Sequence, residues 1–242
     1  GKTERFISFM EKMNRKNVED IADKLNLSND HDPLLVPAIV LYKRAVEELG
    51  ASEIYVPGIS INDGIAYDYA QKNNIVKATR DFEEDVLSAA RNMAKRYWGY
   101  EPHINALTDM AALLFDAMKK VHGLGKRERL LLKTAAILHD CGKYVSMVNG
   151  AKSSYNIIMA SEIIGLTHLE REIVARIVLY NSMPLDTYEE VADTLDKEEY
   201  MIVAKLAAIL RVSNAMDRCH KQKFINVKIN LTGKKLVITI ES

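Results

Sequence analysis

Cysteine is scarce: the 242 residues include two, Cys141 and Cys219, with neither CxxC nor zinc-ligand spacing. That excludes a disulfide framework and suits reduced thiols. A charge of one sign is missing too. The 33 Lys and Arg offset 33 Asp and Glu, so no global field draws the chain to a nucleic acid or an anionic membrane, and a polyanion must find a local patch. No apolar run reaches the roughly 18 residues that cross a bilayer, and the N-terminus has no signal-peptide core, which predicts a cytoplasmic protein without a membrane partner. The eleven glycines are scattered, with no GxGxxG or Walker run, so the sequence contains no backbone cradle for a nucleotide phosphate. Internal repeats and low-complexity tracts are absent as well.

What is present is an ordinary globular composition, 48% hydrophobic and 27% charged, in a chain long enough for one large domain or two modest ones. Gly1 stands where Met would be expected and a helix begins at once, so the chain reads as entering a longer protein partway. Residues 1–75 predict mixed α/β structure. Phe6, Phe9, Met10 and Met13 recur at helical spacing, and a second short helix is expected over 18–26. After His31-Asp32-Pro33, an apolar helix over 34–49 ends at Gly50, a short β-prone run follows over 53–56, and helix returns over 61–70. Helix, buried strand and helix fit one end of an α/β layer.

Residues 76–221 read as helix after helix. Asp81 and Glu84 make an N-terminal capping pair, and Phe82, Val86, Ala89, Met93 and Tyr97 line the face of the helix behind it. Leu107, Met110, Ala111, Leu114, Phe115 and Met118 line the next, while residues 130–139 are almost wholly apolar and predict a central helix. Further helices are expected over 154–164, 169–180 and 198–219. In residues 222–242, Ile225, Val227, Ile229 and Leu231 alternate with polar residues, Thr232-Gly233-Lys234 turns, and 236–240 alternate again. This hairpin needs a surface to pack on, because a lone hairpin is marginal in water.

The strongest chemical signal is Leu138-His139-Asp140-Cys141-Gly142-Lys143 at the end of the central apolar helix. Imidazole and carboxylate side by side at a helix end can face one metal ion, although such a pair also occurs as a plain polar helix end. His103 lies upstream in the pattern Tyr97-Trp98-x-x-x-x-His103, and Leu210-Arg211-Val212-Ser213-Asn214-Ala215-Met216-Asp217-Arg218-Cys219-His220 lies downstream. This order resembles the HD phosphohydrolase superfamily, and the last run is similar to its "LRIADALDRSH" pattern. Together with Ser153-Ser154-Tyr155-Asn156-Ile157-Ile158 and Gly165-Leu166-Thr167-x-x-Glu170, it narrows the resemblance to the C-terminal HD-like region of the exopolyphosphatase and guanosine pentaphosphate phosphatase (Ppx/GppA) family. The stretch from Ile54-Tyr55-Val56-Pro57-Gly58 to Ile65 is similar to the "SxxGLREG" end of that family's second actin-like domain.

The resemblance implies a mainly α fold: an α/β piece of an actin-like (ribonuclease H-like) domain over 1–75, an HD-like helical bundle over 76–221 and a small β hairpin unit over 222–242. It also implies an exopolyphosphatase or guanosine pentaphosphate phosphatase as parent, a hydrolase using Mg in a cleft outside this stretch. The departures from the pattern count against metal chemistry here. Asn214 stands where the pattern has Asp, and Ser153 and Asn181 where the subgroup often has His. His103, His139 and Asp140 therefore remain as vestigial ligands with Asp217 as a displaced fourth, and no catalytic residue and no cofactor is expected in this stretch.

For a long polyanion the expected contacts are Lys143, Lys152, Arg211, Arg218 and Lys221, with His220 and Lys223 near them. The same residues also fit a solvated helix face, and Asp140 and Asp217 reduce the local potential. The resulting expectation is a fragment that binds inorganic polyphosphate or guanosine pentaphosphate and forms a homodimer, without being catalytic alone. A metal-dependent HD nucleotide phosphohydrolase is the alternative, and a purely dimer-building or docking bundle a third reading. His31, His122 and His168 read as loop or cap residues.

Overall fold

The computed structural model describes residues 1–13, 32–56, 58–73, 75–76, 82–233 and 235–241. The helix expected over 18–26, His31, Asp81 of the capping pair and Lys234 of the hairpin turn lie outside them. The chain divides into two compact units, Gly1–Ala78 and Thr79–Ser242.

In the first unit, α1 (Thr3–Met13) packs on α2 (Asp32–Leu49) through buried Met13 and Ile39, with Met10 beside them. Gly50, at φ +57, takes the left-handed conformation that ends α2. The β-prone run over 53–56 does not become a strand: Glu53 forms a single bridge to Lys2, and Ile54 N donates to Gly1 O at 2.9 Å. A strand needs a ladder partner, and among the described residues only this short N-terminal stretch pairs with it. Helix α3 (Ile61–Lys72) starts at a capping box in which Ser60 N donates to Asp63 Oδ2 and Asp63 N to Ser60 Oγ. Its Ile61 and Ile65 are exposed.

The second unit is the helical bundle. Helix α4 (Glu83–Arg96) carries Glu83, Glu84 and Asp85 in its first turn and Lys95 and Arg96 in its last, matching the helix dipole. Its buried stripe is Val86, Leu87, Ala90 and Ala94. Ala89, Met93 and Tyr97 pack partly against the core, whereas Phe82 sits before the first turn and stays half exposed. Helix α5 (Glu101–Ala117) buries Leu107, Met110, Ala111, Leu114 and Phe115 as the spacing predicts, while Met118, expected on the same stripe, caps the helix and is half-buried. The four-residue α6 (Lys119–His122) follows, and His122 is buried as a cap, its Nε2 bonded to Phe115 O while Leu124 N donates to its Nδ1.

Helix α7 (Lys126–Leu138) buries eight residues between Leu130 and Leu138 and touches α4, α5, α9 (His168–Tyr180) and α11 (Lys197–Met216), which makes it the central helix. A 3-10 turn, Cys141–Tyr144, leads to α8 (Gly150–Ala160), and the short α10 (Tyr188–Val191) precedes α11. Strands β1 (Ile225–Thr232) and β2 (Lys235–Glu241) pair antiparallel, with Val227, Ile229, Leu236 and Ile238 laid against the bundle core. The alternation is broken by an irregularity between Ile225 and Lys228, where Asn226 takes φ 54.

Candidate functional site

Three segments bring the chemical residues together: the first turn of α5, the end of α7 and the turn after α11. His103 enters on the first turn of α5, just after Pro102, and is buried. His139 and Asp140 follow the last turn of α7. They are held there by Gly142, whose N–H donates to Ser154 Oγ at 2.8 Å, and which packs so closely on α8 that a Cβ would stand 2.2 Å from Gly150 O. After α11 the chain turns through His220 and Gln222, both non-glycine residues at left-handed φ, 50 and 45, while His220 N closes on Asp217 O. Such backbone conformations cost free energy and cluster at functional turns.

The rings of His103 and His139 meet edge on, their centroids 5.1 Å apart, and His220 lies flat on His103 at 3.7 Å. Tyr100 stacks over the outer side of His220 at 6.2 Å. His103 Nδ1 donates to Asp217 Oδ2 at 2.7 Å, and Gln222 binds the same carboxylate through its backbone N–H and its side-chain amide. Partial burial would raise the Asp217 carboxyl, but these bonds from His103 and Gln222 outweigh it and hold it below the ordinary range.

His139 Nδ1 donates to Ala136 O at 2.8 Å. Its Nε2 lies 3.3 Å from Asp140 Oδ2, in ion-pair range but out of line for a hydrogen bond, and so remains a buried atom without a partner, as does His103 Nε2. Asp140 also accepts from Lys143 Nζ at 2.6 Å. Burial would raise the Asp140 carboxyl, yet His139 and Lys143 hold it well below the carboxylate range. Burial and the neighbouring His103 push His220 below the ordinary imidazole value, against Asp140 and Asp217.

Among the described residues, His103, Asp140 and His220 each offer a ligand atom within 4.8 Å of the others. Imidazole nitrogens and a carboxylate suit a divalent transition metal, and two orphaned imidazole nitrogens beside them fit that use. A cleft of about 410 Å³ on the hairpin side is lined by Asp217 and Gln222 but by none of these histidines.

A family model described as Ppx/GppA phosphatase, domain III, matches residues 87–242, well over half of the chain. The chain belongs to the Ppx/GppA phosphatase family. No curated protein matches it, and among the described residues no helix is long and apolar enough to cross a membrane.

In this Ppx/GppA domain III the sequence-derived ligands His103, His139 and Asp140 do converge, and Asp217 joins them through His103 Nδ1. The neutral replacements meet as well, Asn214 Nδ2 approaching Asn181 Oδ1 at 3.4 Å. Of the polyanion contacts, Lys143 is engaged by Asp140, while Lys152, Arg211, Arg218 and Lys221 are exposed and form no ion pair with a described residue. His220 and Gln222 are the site members that the sequence reading left out of the cluster. The spacing Asp217-x-x-His220 was the signal available, but the left-handed turn that aims the ring inward is not written in residue type.

Proposed function

We propose that the chain is the C-terminal part of an exopolyphosphatase or guanosine pentaphosphate phosphatase type of hydrolase, in which it holds the polyanion and builds a homodimer while a Mg-dependent cleft elsewhere in the protein hydrolyses it. The observation that carries this reading is the set of exposed cations without an acid partner among the described residues, Lys152, Arg211, Arg218 and Lys221, on a phosphatase-family domain. Unpaired guanidinium and ammonium groups are free to take phosphate oxygens, Arg in bidentate fashion. Residues 1–75 are then the end of an actin-like domain, 76–221 the HD-like bundle and 222–242 the hairpin unit, and the exposed Ile61 and Ile65 of α3 are apolar surface for the rest of that first domain.

For the homodimer, support comes from an apolar groove of about 310 Å³ lined by Leu114, Met118, Val121, Ile209, Val212 and Leu236. Val212→Asp is expected to shift the chain from dimer to monomer in light scattering, and a wild-type monomer at all concentrations contradicts the assignment. The polyanion role is tested with labelled polyphosphate. Binding should weaken steeply with added salt and fall in Arg218→Ala with Lys221→Ala, since each phosphate contact released carries a counterion term. No binding at low salt removes this reading.

The buried, unpartnered nitrogens of His103 and His139 favour a second reading, a metal-dependent HD-type nucleotide phosphohydrolase. His103, His139 and Asp140 would hold the metal, which would supply Lewis-acid chemistry. Asp217 would orient His103, and Lys143 would keep Asp140 ionised. Nucleotide turnover that needs added metal and disappears in His139→Ala distinguishes this reading from the first.

A further inference from the structure

Helix α5 presents Ala106, Asp109, Met110 and Leu113, one helical face, to the cleft of about 410 Å³ on the hairpin side. The end of α11 adds Ser213 and Met216, and the segment after it adds Gln222 and Phe224. The volume is that of a small-molecule site, whose walls are mainly apolar with a few placed polar groups. Among the described residues no histidine, lysine or arginine lines it.

Three polar groups of this cleft have only acceptors left to offer. Ser213 is buried and gives its hydroxyl proton to Ile209 O at 2.9 Å, so its remaining lone pair can only accept. Gln222 Nε2 donates to Asp217 Oδ2 at 2.9 Å, which leaves Gln222 Oε1, another acceptor, without a donor among the described residues. Asp109 is exposed, and its carboxylate forms no hydrogen bond or ion pair with a described residue. Asp217 has three of its roughly four acceptor positions filled by His103 and Gln222, so it adds negative charge more than a bonding position.

A ligand that satisfies these groups must donate hydrogen bonds and carry positive charge. An anion, phosphate included, is repelled by both carboxylates and finds no cation in the lining. Phe224, half exposed, offers an aromatic ring to a cation, and Met110, Leu113 and Met216 suit a methylene stem.

We propose that this cleft binds an aliphatic polyamine, its ammonium groups taken by Asp109, Gln222 Oε1 and Ser213 Oγ and its methylene chain laid along Met110, Leu113 and Met216. Carboxylates on two segments, Asp109 on α5 and Asp217 after α11, favour a ligand with more than one ammonium. The apolar walls contribute nothing to a hydrated metal ion, so the stem is what sets a polyamine above a bare dication. None of the three acceptors belongs to the polyanion contacts or to the histidine cluster, so this inference stands or falls apart from both.

Isothermal titration calorimetry at low salt, on the purified full chain freed of metal, tests it. Spermidine should bind one per chain and more tightly than Nα-acetyl-lysine amide, which has the same ammonium and stem but a single charge. Magnesium should compete poorly. Asp109→Asn should weaken spermidine binding about 10- to 100-fold, the worth of one hydrogen bond to a charged group. Ala106→Leu fills the cleft from the same face of α5 and should abolish binding, with circular dichroism verifying the fold of both variants. Asp193→Asn removes an exposed acid beyond α10 and should change nothing. Absence of spermidine binding at low salt overturns the proposal. Equal weakening by Asp109→Asn and Asp193→Asn overturns it as well, since a diffuse field then suffices. So does displacement by magnesium at equal concentration, or a lysine derivative that binds as tightly as spermidine.

Discussion

Acceptor oxygens at both histidine Nδ1 atoms have a consequence that nuclear magnetic resonance can read. His103 and His139 should both carry a proton on Nδ1, seen in long-range proton–nitrogen correlations, and a ring with a bare Nδ1 at either position would contradict the hydrogen bonds to Asp217 and Ala136. Away from the site, Glu172 is the buried acid on which the polar interior depends: Tyr155 Oη donates to both of its oxygens and Arg176 Nε to one, at 2.6 Å. Glu172→Ala strands the Arg176 charge and should cost about 3 to 5 kcal/mol in urea unfolding. Tyr155→Phe removes a donor only and should cost about 1 to 2 kcal/mol. At this scale the sequence showed His103, His139 and Asp140 because the motif names them. It did not show His220, since its place depends on the φ of two residues after α11, nor the Glu172 network, since a charged residue in an amphipathic helix carries no mark of burial.

Between elements, the narrowest contact is Gly142 against α8. A Cβ there meets Gly150 O and Ser154 N, both backbone, at 2.2 Å, so Gly142→Ala must push the 3-10 turn away from α8 and carry Asp140 with it. The expected loss is about 1 to 3 kcal/mol, and an unchanged melting curve would show that the turn can shift freely. The start of α9 gives a pH prediction. Partial burial would raise the Glu170 carboxyl, but the paired hydrogen bonds from Arg127 Nε and Nη2 and the cap with Thr167 leave it below its ordinary 4.5. A carboxyl whose folded value is depressed stabilises the fold above its unfolded value and loses that contribution as pH falls through the folded one. Stability from this pair is thus complete at neutral pH and declines below about 4.5, by under about 1 kcal/mol because Arg127 is partly exposed. Glu170→Gln should flatten this part of the acid limb, and an unaltered limb would show that the pair contributes nothing.

Helix positions were legible from apolar spacing, most clearly in α5, whose predicted stripe is the buried one, and in α7, whose apolar run marked it as central. The strand expected over 53–56 was not, because a β-prone sequence does not specify its ladder partner. The hairpin's alternation gave its faces, but the irregularity at Asn226 has no signature in a pattern of period two.

At the scale of the molecule, family membership and the helical bundle with its hairpin agree with one another, the first legible in short motifs at the ends of α7 and α11, the second in apolar periodicity. Composition alone could not supply them, because a chain of zero net charge gives no field that points to phosphate; the proposed polyanion role rests instead on cations without an acid partner among the described residues. We propose a division of labour in which this region grips and assembles, while hydrolysis belongs to Gly-rich loops able to cradle a phosphate. The most direct test is phosphate release from inorganic polyphosphate and from guanosine pentaphosphate by the purified chain, with and without Mg, beside the full-length protein. The account predicts Mg-dependent release by the full-length protein and none above background by this chain. Robust Mg-dependent turnover by the chain alone would contradict it.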